Sequence, residues 1–474
     1  MAATPTRGAT LAVVPPAAPP PGKTAVGVGV YHRTDVGNAD QLVATKGRDL
    51  RYCHPWARWL VWTGQRWETD ETGEAQLRMK ETLRDMMSSA VQLADDEERG
   101  KLIKHVLASE QAPRIRGALQ LAQSDPRIAV RPSELDVDPT LFNVQNGTIQ
   151  LDAAAIYDHR REDLVTKLAP VEFDAAATAP RWDAFLERVQ PDPEVRAYLR
   201  RAVGYSLAAE TSEQVLLICH GSGANGKTTF FEALRAMLGD YGQQAPAETF
   251  LEHGDRIPND VARLRGARFV AASEVAEGRR LNEALVKRMT GGDTMTARFM
   301  RAEFFEFKPT FTPWLATNHR PEIRGTDEAI WRRIHLIPFE VTIPPKERDP
   351  DLPMRLRREL AGILNWALAG YAEWRANGLD PPEAVLAATT EYRHDSDVLG
   401  GFLEDCCELA DGATVTKAEL HTRFGYWATQ NGAEPLTAKA LRARLIDRGF
   451  KEGRTSTGRY WVGIRIRRDE EVTP

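Results

Sequence analysis

A run of glycines leading into one lysine is the strongest chemical signal in this sequence. Residues 221–229 match the phosphate-loop pattern G-x-x-x-x-G-K-[ST] over its full length. In such a loop, glycines let backbone N–H groups surround phosphate oxygens. Lys227 would place a charge at the β- and γ-phosphates, and Thr228 would offer its hydroxyl to Mg²⁺. The motif therefore predicts a site for ATP and Mg²⁺. The predicted nucleotide-binding residues are Gly221, Ser222, Gly223, Ala224, Asn225, Gly226, Lys227, Thr228 and Thr229.

Two polar residues that follow apolar runs could complete a hydrolytic site. Glu274 comes after the run 268–272, where a carboxylate could polarise the attacking water and help to hold Mg²⁺. Asn318 ends the run 311–317, where its amide could sense the γ-phosphate or its water. Only one acid is present at the first position, because Ser273 precedes it. The sequence leaves open whether this single carboxylate binds Mg²⁺ or activates the attacking water.

Arg332 and Arg333 follow Asn318 after a short interval. A guanidinium group is planar and always charged, so it suits a finger inserted into the phosphate site of a neighbouring subunit. The spacing predicts that one of the two arginines has this role and does not say which. A surface salt bridge would explain either arginine equally well.

The residues around these motifs predict the elements that position them. Val215–Cys219 is a continuous apolar run, as expected for a buried parallel strand, and it leads directly into the glycine-rich loop. A helix with one apolar side follows and ends at Gly239. Apolar strands and helices alternate over residues 206–345, which predicts an α/β fold.

Basic residues outside the phosphate loop are candidates for DNA contacts. Lys287, Arg298 and Arg301 lie between the Glu274 and Asn318 strands and could sit on a hairpin that grips single-stranded DNA through its phosphates. Residues 438–468 hold ten lysines and arginines against two acidic residues. Within this segment Arg442 and Arg444 lie on a predicted helix over Thr437–Leu445.

Composition limits the remaining possibilities. The chain has 474 residues, 42% of them hydrophobic and 27% charged, with a net charge of −5. These values exclude a fibrous chain and a uniformly basic coat protein. Four cysteines without C-x-x-C spacing argue against zinc, and the small number of thiols favours a reducing cytoplasm. No apolar run is long enough to span a membrane.

The pattern of composition and motifs also divides the chain into segments. An α+β region is predicted before the phosphate-loop domain, with short hairpins at Thr63-Gly64 and Asn146-Gly147. The predicted segments are a disordered tail at 1–25, an N-terminal α+β domain at 26–205, an ATPase domain at 206–345, a helical segment at 346–397, a C-terminal domain at 398–468 and a tail at 469–474.

The ordered set of motifs resembles the superfamily 3 helicases. The resemblance is strongest to the helicase part of phage and plasmid primase–helicases, which are related to the poxvirus nucleoside triphosphatase. It covers about residues 28–468. The residues that carry it are Gly221–Thr229, Glu274, Lys287, Thr290–Asp293, Arg298, Thr317-Asn318 and Trp331–Arg333, flanked by Thr34–Ala39, Trp59–Trp67, Asn143–Gly147 and Phe402–Ile464.

The resemblance implies an AAA+-like ATPase core and a C-terminal winged-helix-like domain. It implies a ring, usually a hexamer, that moves on single-stranded and forked DNA. By position, Glu274 would be the acid, Asn318 the sensor, and Arg332 or Arg333 the finger acting in trans. Longer family members carry a primase domain, for which the residues before position 28 leave no room. A separate primase or polymerase is therefore expected.

Three functions remain open at the sequence level. The first is an ATP-dependent DNA helicase of phage, prophage or plasmid replication. The second is an ATP-switched initiator that binds origin duplex DNA, with a recognition helix in the C-terminal domain. The third is a small-molecule P-loop kinase, which leaves the Asn318 strand, the arginine pair and the large flanking domains unexplained.

Overall fold

Helices and strands alternate along most of the chain. The computed structural model describes residues 31–252, 259–273, 275–298, 304–325, 327–454, 456 and 458–467, and the backbone of residues 12 and 13. The helices are α1 Asp35–Lys46, α2 Glu74–Val91, α3 Asp96–Ser109, α4 Ala112–Ala122, α5 Pro180–Val189, α6 Pro193–Tyr205, α7 Lys227–Leu238, α8 Asn259–Ala262, α9 Glu283–Gly291, α10 Glu328–Trp331, α11 Leu352–Arg357, α12 Leu360–Asn377, α13 Glu383–Ser396, α14 Val398–Cys406, α15 Lys417–Gln430 and α16 Ala438–Asp447. The strands are β1 Ala12–Val13, β2 Leu50–Cys53, β3 Arg58–Trp62, β4 Trp67–Thr69, β5 Ala129–Val130, β6 Leu141–Val144, β7 Gly147–Gln150, β8 Ala155–Tyr157, β9 Leu216–His220, β10 Gly242–Pro246, β11 Phe269–Ser273, β12 Met295–Arg298, β13 Phe304–Phe307, β14 Thr312–Thr317, β15 Ile334–Pro338, β16 Cys407–Thr416, β17 Lys451–Arg454 and β18 Arg459–Ile466.

Five parallel strands form the central sheet, in the order β10-β11-β14-β9-β15. All six residues of β14 are buried, because this strand lies between two others and is covered on both faces. The strand order differs from the chain order, since β14 inserts between β9 and β11. The carboxyl ends of these three strands therefore lie side by side, and the predicted α/β fold with a parallel sheet is confirmed.

Alternating side chains of the sheet face two separate apolar layers. Leu217 faces the layer that contains Phe230 of α7 and Trp314 of β14. Its neighbour Ile218 faces the opposite layer, which contains Met289 of α9. This alternation follows from the two-residue period of a strand. Helices on both faces thus fix the orientation of the loops that leave the strand ends.

The N-terminal region combines two small sheets with a helical layer formed by α1, α2 and α4. The two predicted hairpins are present, since Trp62 pairs with Trp67 and Val144 pairs with Gly147 across the turns. Residues Ala12–Val13 form β1, which pairs in parallel with β8. The rest of the predicted tail 1–25 lies outside the described residues, and its disorder stays a prediction.

The C-terminal region packs three helices, α14 to α16, against a three-stranded antiparallel sheet of order β16-β18-β17. Leu441 and Leu445 of α16 are buried with Trp461 of β18. Thr437 caps α16, and its hydroxyl accepts a hydrogen bond from Ala440 N. The predicted tail 469–474 lies outside the described residues. In the described part of the chain, no helix is both long and apolar enough to cross a membrane.

His335 on the edge strand β15 gives the fold a pH dependence. Burial lowers the pKa of His335 from 6.5 to about 4. The unfolded chain therefore binds a proton at a higher pH than the folded chain. We expect the free energy of unfolding to fall as the pH drops from 6.5 towards 4, by up to about 3 kcal/mol. Urea denaturation across this pH range measures the loss.

The substitution His335→Gln keeps a polar partner for the hydroxyl of Tyr198, which contacts the ring in the folded chain. We expect this variant to lose part of the acid sensitivity. The same substitution at the exposed His394 is the matched control. If the free energy of unfolding of His335→Gln depends on pH as strongly as that of the wild type, the acid sensitivity does not come from His335.

Candidate nucleotide site and nucleic-acid surfaces

The glycine-rich loop joins β9 to α7 and depends on two glycines for its shape. A Cβ atom on Gly221 would lie 2.0 Å from the carbonyl oxygen of Phe339, so a side chain cannot fit there. Gly226 precedes α7 with a φ of +85°, in the left-handed region that favours glycine. The loop therefore places the N-terminus of α7 at the carboxyl end of the sheet. Unpaired N–H groups at a helix N-terminus favour an anion.

The ammonium group of Lys227 is held by three oxygens at the start of α7. It donates to the carbonyl of Gly221 at 2.7 Å, to Asn225 Oδ1 at 3.0 Å and to Asn318 Oδ1 at 3.1 Å. Lys227 is only 6% exposed, and burial lowers the pKa of its ammonium group. All three partners are neutral oxygens. The site thus holds a buried cation without an anionic partner. A bound phosphate group would offset the free-energy cost of burying this charge.

Asn318 reaches Lys227 because of strand pairing. Thr317, the last residue of β14, pairs with His220, the last residue of β9. The next residue on each strand enters a loop at the same edge of the sheet, so residues 91 positions apart come within hydrogen-bond distance. Lys227 and Asn318 therefore contact each other, and their roles in a nucleotide site stay predictions.

A cavity of about 900 Å³ opens beside this cluster. It is lined by residues 223–229 of the loop and by the strand ends Ser273 and Asn318. Thr228 is exposed within it. Its volume lies within the range of small-ligand pockets, about 300–1,000 Å³. The predicted acid Glu274 lies outside the described residues, although Ser273, which precedes it, lines the cavity.

The side chains present fit a magnesium ion carried by a nucleotide. In the described residues no group of three or more His, Cys, Asp or Glu could hold a metal alone. Mg²⁺ commonly binds through one or two protein oxygens, phosphates and waters. Thr228 supplies such an oxygen beside Lys227. When bound, the ion would neutralise phosphate charge.

Several residues of the cavity wall do not belong to any of the sequence motifs. Arg188 of α5 pairs with Glu347 at 2.7 Å, and Arg355 of α11 pairs with Asp349 at 2.8 Å. Both pairs lie at the cavity wall together with the exposed Arg348. These residues come from segments on either side of the predicted ATPase domain. Only their three-dimensional placement identifies them.

The structure separates the two candidate finger arginines. Arg333 is 7% exposed and donates to Thr290 Oγ1 at 3.1 Å and to Gln214 Oε1 at 3.0 Å. Arg332 is exposed and reaches the same Gln214 oxygen at 3.2 Å. Arg333 is therefore buried and uses its donors within its own chain, whereas the side chain of Arg332 is exposed to solvent.

The predicted DNA contacts between the two motif strands lie on two elements. Lys287 of α9 pairs with Asp327 at 2.8 Å. Arg298 ends β12, which pairs with β13 in an antiparallel hairpin, and its guanidinium lies 4.9 Å from the ring centroid of Phe304. Arg301 lies outside the described residues. The hairpin is present and carries Arg298, but the prediction is wrong for Lys287, which lies on α9.

The two predicted contacts on α16 differ in their surroundings. Arg442 is exposed and pairs with Glu452 at 2.6 Å. Arg444 is half-buried and donates to the carbonyl of Arg324 at 3.3 Å, so it packs against the ATPase region. Glu434, three residues before the cap of α16, also binds Arg324. Arg444 thus joins two regions of the chain, and its role in DNA contact stays a prediction.

Comparisons with known proteins agree with this architecture. Residues 39–191 match the family "D5 N terminal like", and residues 219–333 match a "Family of unknown function (DUF5906)". The chain is 30% identical over 336 residues to "Putative helicase L207/L206" of Acanthamoeba polyphaga mimivirus, covering 65% of this chain and 35% of that protein. It is 28% identical over 271 residues to "Putative helicase 022R" of Frog virus 3, covering 52% of this chain and 28% of that protein.

The solved structure of the NrS-1 C-terminal region in its A-form apo state superposes with a TM-score of 0.50 at 10% identity. It covers 91% of this chain and 98% of that one, which shows a shared fold. The chain spans about a third of the length of the curated relatives it matches.

The fold is that of a mixed α/β protein built on a parallel sheet. These similarities support a relationship to the phage and viral superfamily 3 primase–helicases.

Replacing Lys227 by methionine tests the candidate site. The substitution keeps the side-chain volume and removes the only charge in the three-oxygen cluster. We expect ATP affinity to fall about 100-fold, since a charge-assisted hydrogen bond contributes up to about 3 kcal/mol. Titration with a fluorescent ATP analogue measures the change, and Lys80→Met on the exposed face of α2 is the control. Unchanged affinity would place the nucleotide elsewhere.

Proposed function

We propose that this chain is an ATP-dependent DNA helicase of phage, prophage or plasmid replication, with an AAA+-like core that moves on single-stranded DNA. The observation that carries the proposal is the contact between Lys227 and Asn318 at the ends of two adjacent parallel strands. This contact brings a phosphate-binding cation and a polar group suited to sensing the γ-phosphate into one cavity.

The cavity walls give the nucleotide an orientation. The phosphates would lie on the loop 221–229, next to the ammonium group of Lys227 and the N-terminus of α7. The base would lie against the apolar part of the wall, where Phe185, Ile343 and Leu352 line the cavity. Thr228 and Glu274 would hold Mg²⁺, which lowers the repulsion between the phosphates and the attacking water. Asn318 would orient that water.

Arg332 lies too far from its own loop to act on its own nucleotide. It contacts Gln214, which precedes β9, whereas the phosphate loop starts after the last residue of β9, His220. The six residues Val215–His220 separate Gln214 from Gly221, and in an extended chain they span about 20 Å. We therefore assign the finger to Arg332 of one protomer acting on the loop of its neighbour, and a positioning role to the buried Arg333.

This geometry requires an assembly of identical subunits. A head-to-tail contact that repeats around an axis closes into a ring, and each interface then holds one loop and one arginine. A homo-hexamer is the ring size we propose from the family. Forked and single-stranded DNA would pass along the hairpin formed by β12 and β13.

Mixing two inactive variants tests this arrangement. Lys227→Ala lacks the phosphate contact, and Arg332→Ala lacks the finger, so we expect each alone to lose DNA-stimulated ATP hydrolysis. In an equal mixture, about a quarter of the interfaces would combine an intact loop with an intact finger. We expect a matching fraction of the wild-type hydrolysis rate to return on mixing.

Arg84→Ala, an exposed arginine of α2, is the control and should keep full activity. No recovery in the mixture, at concentrations where both variants assemble, would contradict a finger in trans. Full activity of Arg332→Ala alone would remove this residue from the site. Absence of DNA stimulation and of fork unwinding in the wild-type protein would overturn the helicase proposal.

A second candidate function is initiation at an origin, and the C-terminal region favours it. Its helices α15 and α16 precede the hairpin of β17 and β18, an arrangement that is winged-helix-like. Lys439 of α16 and Lys451 and Arg454 of β17 are exposed on this unit. A recognition helix flanked by basic strands could read duplex DNA in the major groove.

Footprinting on the replication origin of the same genetic element tests this second function. We expect the wild-type protein to protect a defined duplex segment, and Arg442→Ala to weaken that protection on the order of tenfold. Arg116→Ala on α4 is the matched control. Equal protection of origin and unrelated duplex would exclude the initiator role.

A further inference from the structure

A second, larger cavity lies at the opposite end of the central sheet from the nucleotide site. Its volume is about 1380 Å³. Arg268 and Thr310, which come just before β11 and β14, line it, whereas the other ends of these strands line the nucleotide cavity. A five-residue strand separates the two cavities by about 15 Å. The N-terminal region and the β12–β13 hairpin supply the remaining walls.

Three basic side chains of this cavity have unused hydrogen-bond donors. Among the described residues, no hydrogen-bond or ion-pair partner faces the ammonium groups of Lys167 and Lys308. Arg265 makes one long hydrogen bond, 3.4 Å to the carbonyl of Pro132. Burial lowers the pKa of Lys167, and the charge of Asp136 opposes this shift only in part. The cavity thus presents cations that an anion would stabilise.

Among the described residues, the acidic residues of the wall form no direct ion pair with these three cations. Asp136 accepts hydrogen bonds from Thr166 N at 2.7 Å and from Thr166 Oγ1 at 2.5 Å. Glu134 accepts one from Arg131 N at 2.7 Å. Glu306 of the hairpin is exposed at the rim. Asp136 and Glu134 thus accept hydrogen bonds from neutral groups, and Asp136 acts on Lys167 and Arg265 only through space, so the donors of these cations stay available.

An aromatic side chain completes the wall. Trp56 lies 4.7 Å from the guanidinium carbon of Arg265, which rests over its ring. Aromatic rings between basic residues are typical of surfaces that bind single-stranded nucleic acid, because bases stack on the rings while cations contact phosphates.

We propose that this cavity binds the phosphate backbone of single-stranded DNA through Lys167, Arg265 and Lys308, with Trp56 beside a base. The proposal rests on the helicase function and names a DNA contact at the base of the hairpin. The cavity is larger than typical small-ligand pockets, about 300–1,000 Å³, which favours a polymer over a free nucleotide. Strands β11 and β14 run from one cavity to the other. A displacement of these strands on DNA binding would therefore also move the residues at the nucleotide site.

The salt dependence of oligo-dT binding tests the proposal. We expect the double variant Lys167→Met/Lys308→Gln to bind a fluorescent oligo-dT on the order of tenfold more weakly than the wild type. Each lost phosphate contact should reduce the slope of log K against log salt by about 0.7 for a single strand, so the double variant should lose about 1.4. Fluorescence anisotropy at several salt concentrations measures both effects.

Lys80→Gln/Lys104→Gln removes the same charge from exposed sites on α2 and α3 and is the matched control. Thermal melting checks folding, and the exposed Lys308→Gln alone, which should lose about 0.7 of the slope, serves if the double variant does not fold. Wild-type slope and affinity in a folded variant would overturn this inference and leave the helicase proposal standing. Loss of dTMP or phosphate binding with unchanged oligo-dT affinity would also overturn it. No oligo-dT binding by the wild type would defeat the helicase proposal itself.

Discussion

The pairing of β14 with β9 is the constraint on which the rest of the site depends. It places Asn318 beside Lys227 although the two residues are far apart in the chain. The pairing is stabilised by burial of β14 on both faces, where Trp314 packs against Phe230 of the helix that Lys227 begins. A change in this register by one residue would move every side chain of β14 to the opposite face and separate the two polar groups.

The same parallel strands act as rigid connections between three sites. Their carboxyl ends carry the nucleotide cavity, and their amino ends carry Arg332 on one side and the basic cavity on the other. A charge that lies a full strand length from the phosphate loop cannot assist hydrolysis within its own chain. The length of the strands thus links the proposed chemistry to assembly, and also links a DNA contact to the nucleotide.

Sequence reasoning located the features that lie in contiguous residues. The strand and helix on either side of the glycine-rich loop and the turns at Gly64 and Gly147 depend on local patterns, and the structure agrees with each, while phosphate binding by the loop stays a prediction. The burial of Arg333 and the basic cavity around Lys167 could not be predicted in this way. Both arise where distant segments meet, and no spacing in one stretch of sequence encodes such a contact. The exposed Arg332 and the buried Arg333 are identical in type and adjacent in the chain.

The mass of the particle in solution tests the central claim most directly, namely that nucleotide binds between neighbouring subunits. Analytical ultracentrifugation with a non-hydrolysable ATP analogue and with ADP would compare the assembled states of the 52.9 kDa chain. We expect a closed oligomer with the analogue and a shift towards smaller species without nucleotide. A protein that remains a monomer under every condition while hydrolysing ATP at its full rate would contradict the claim.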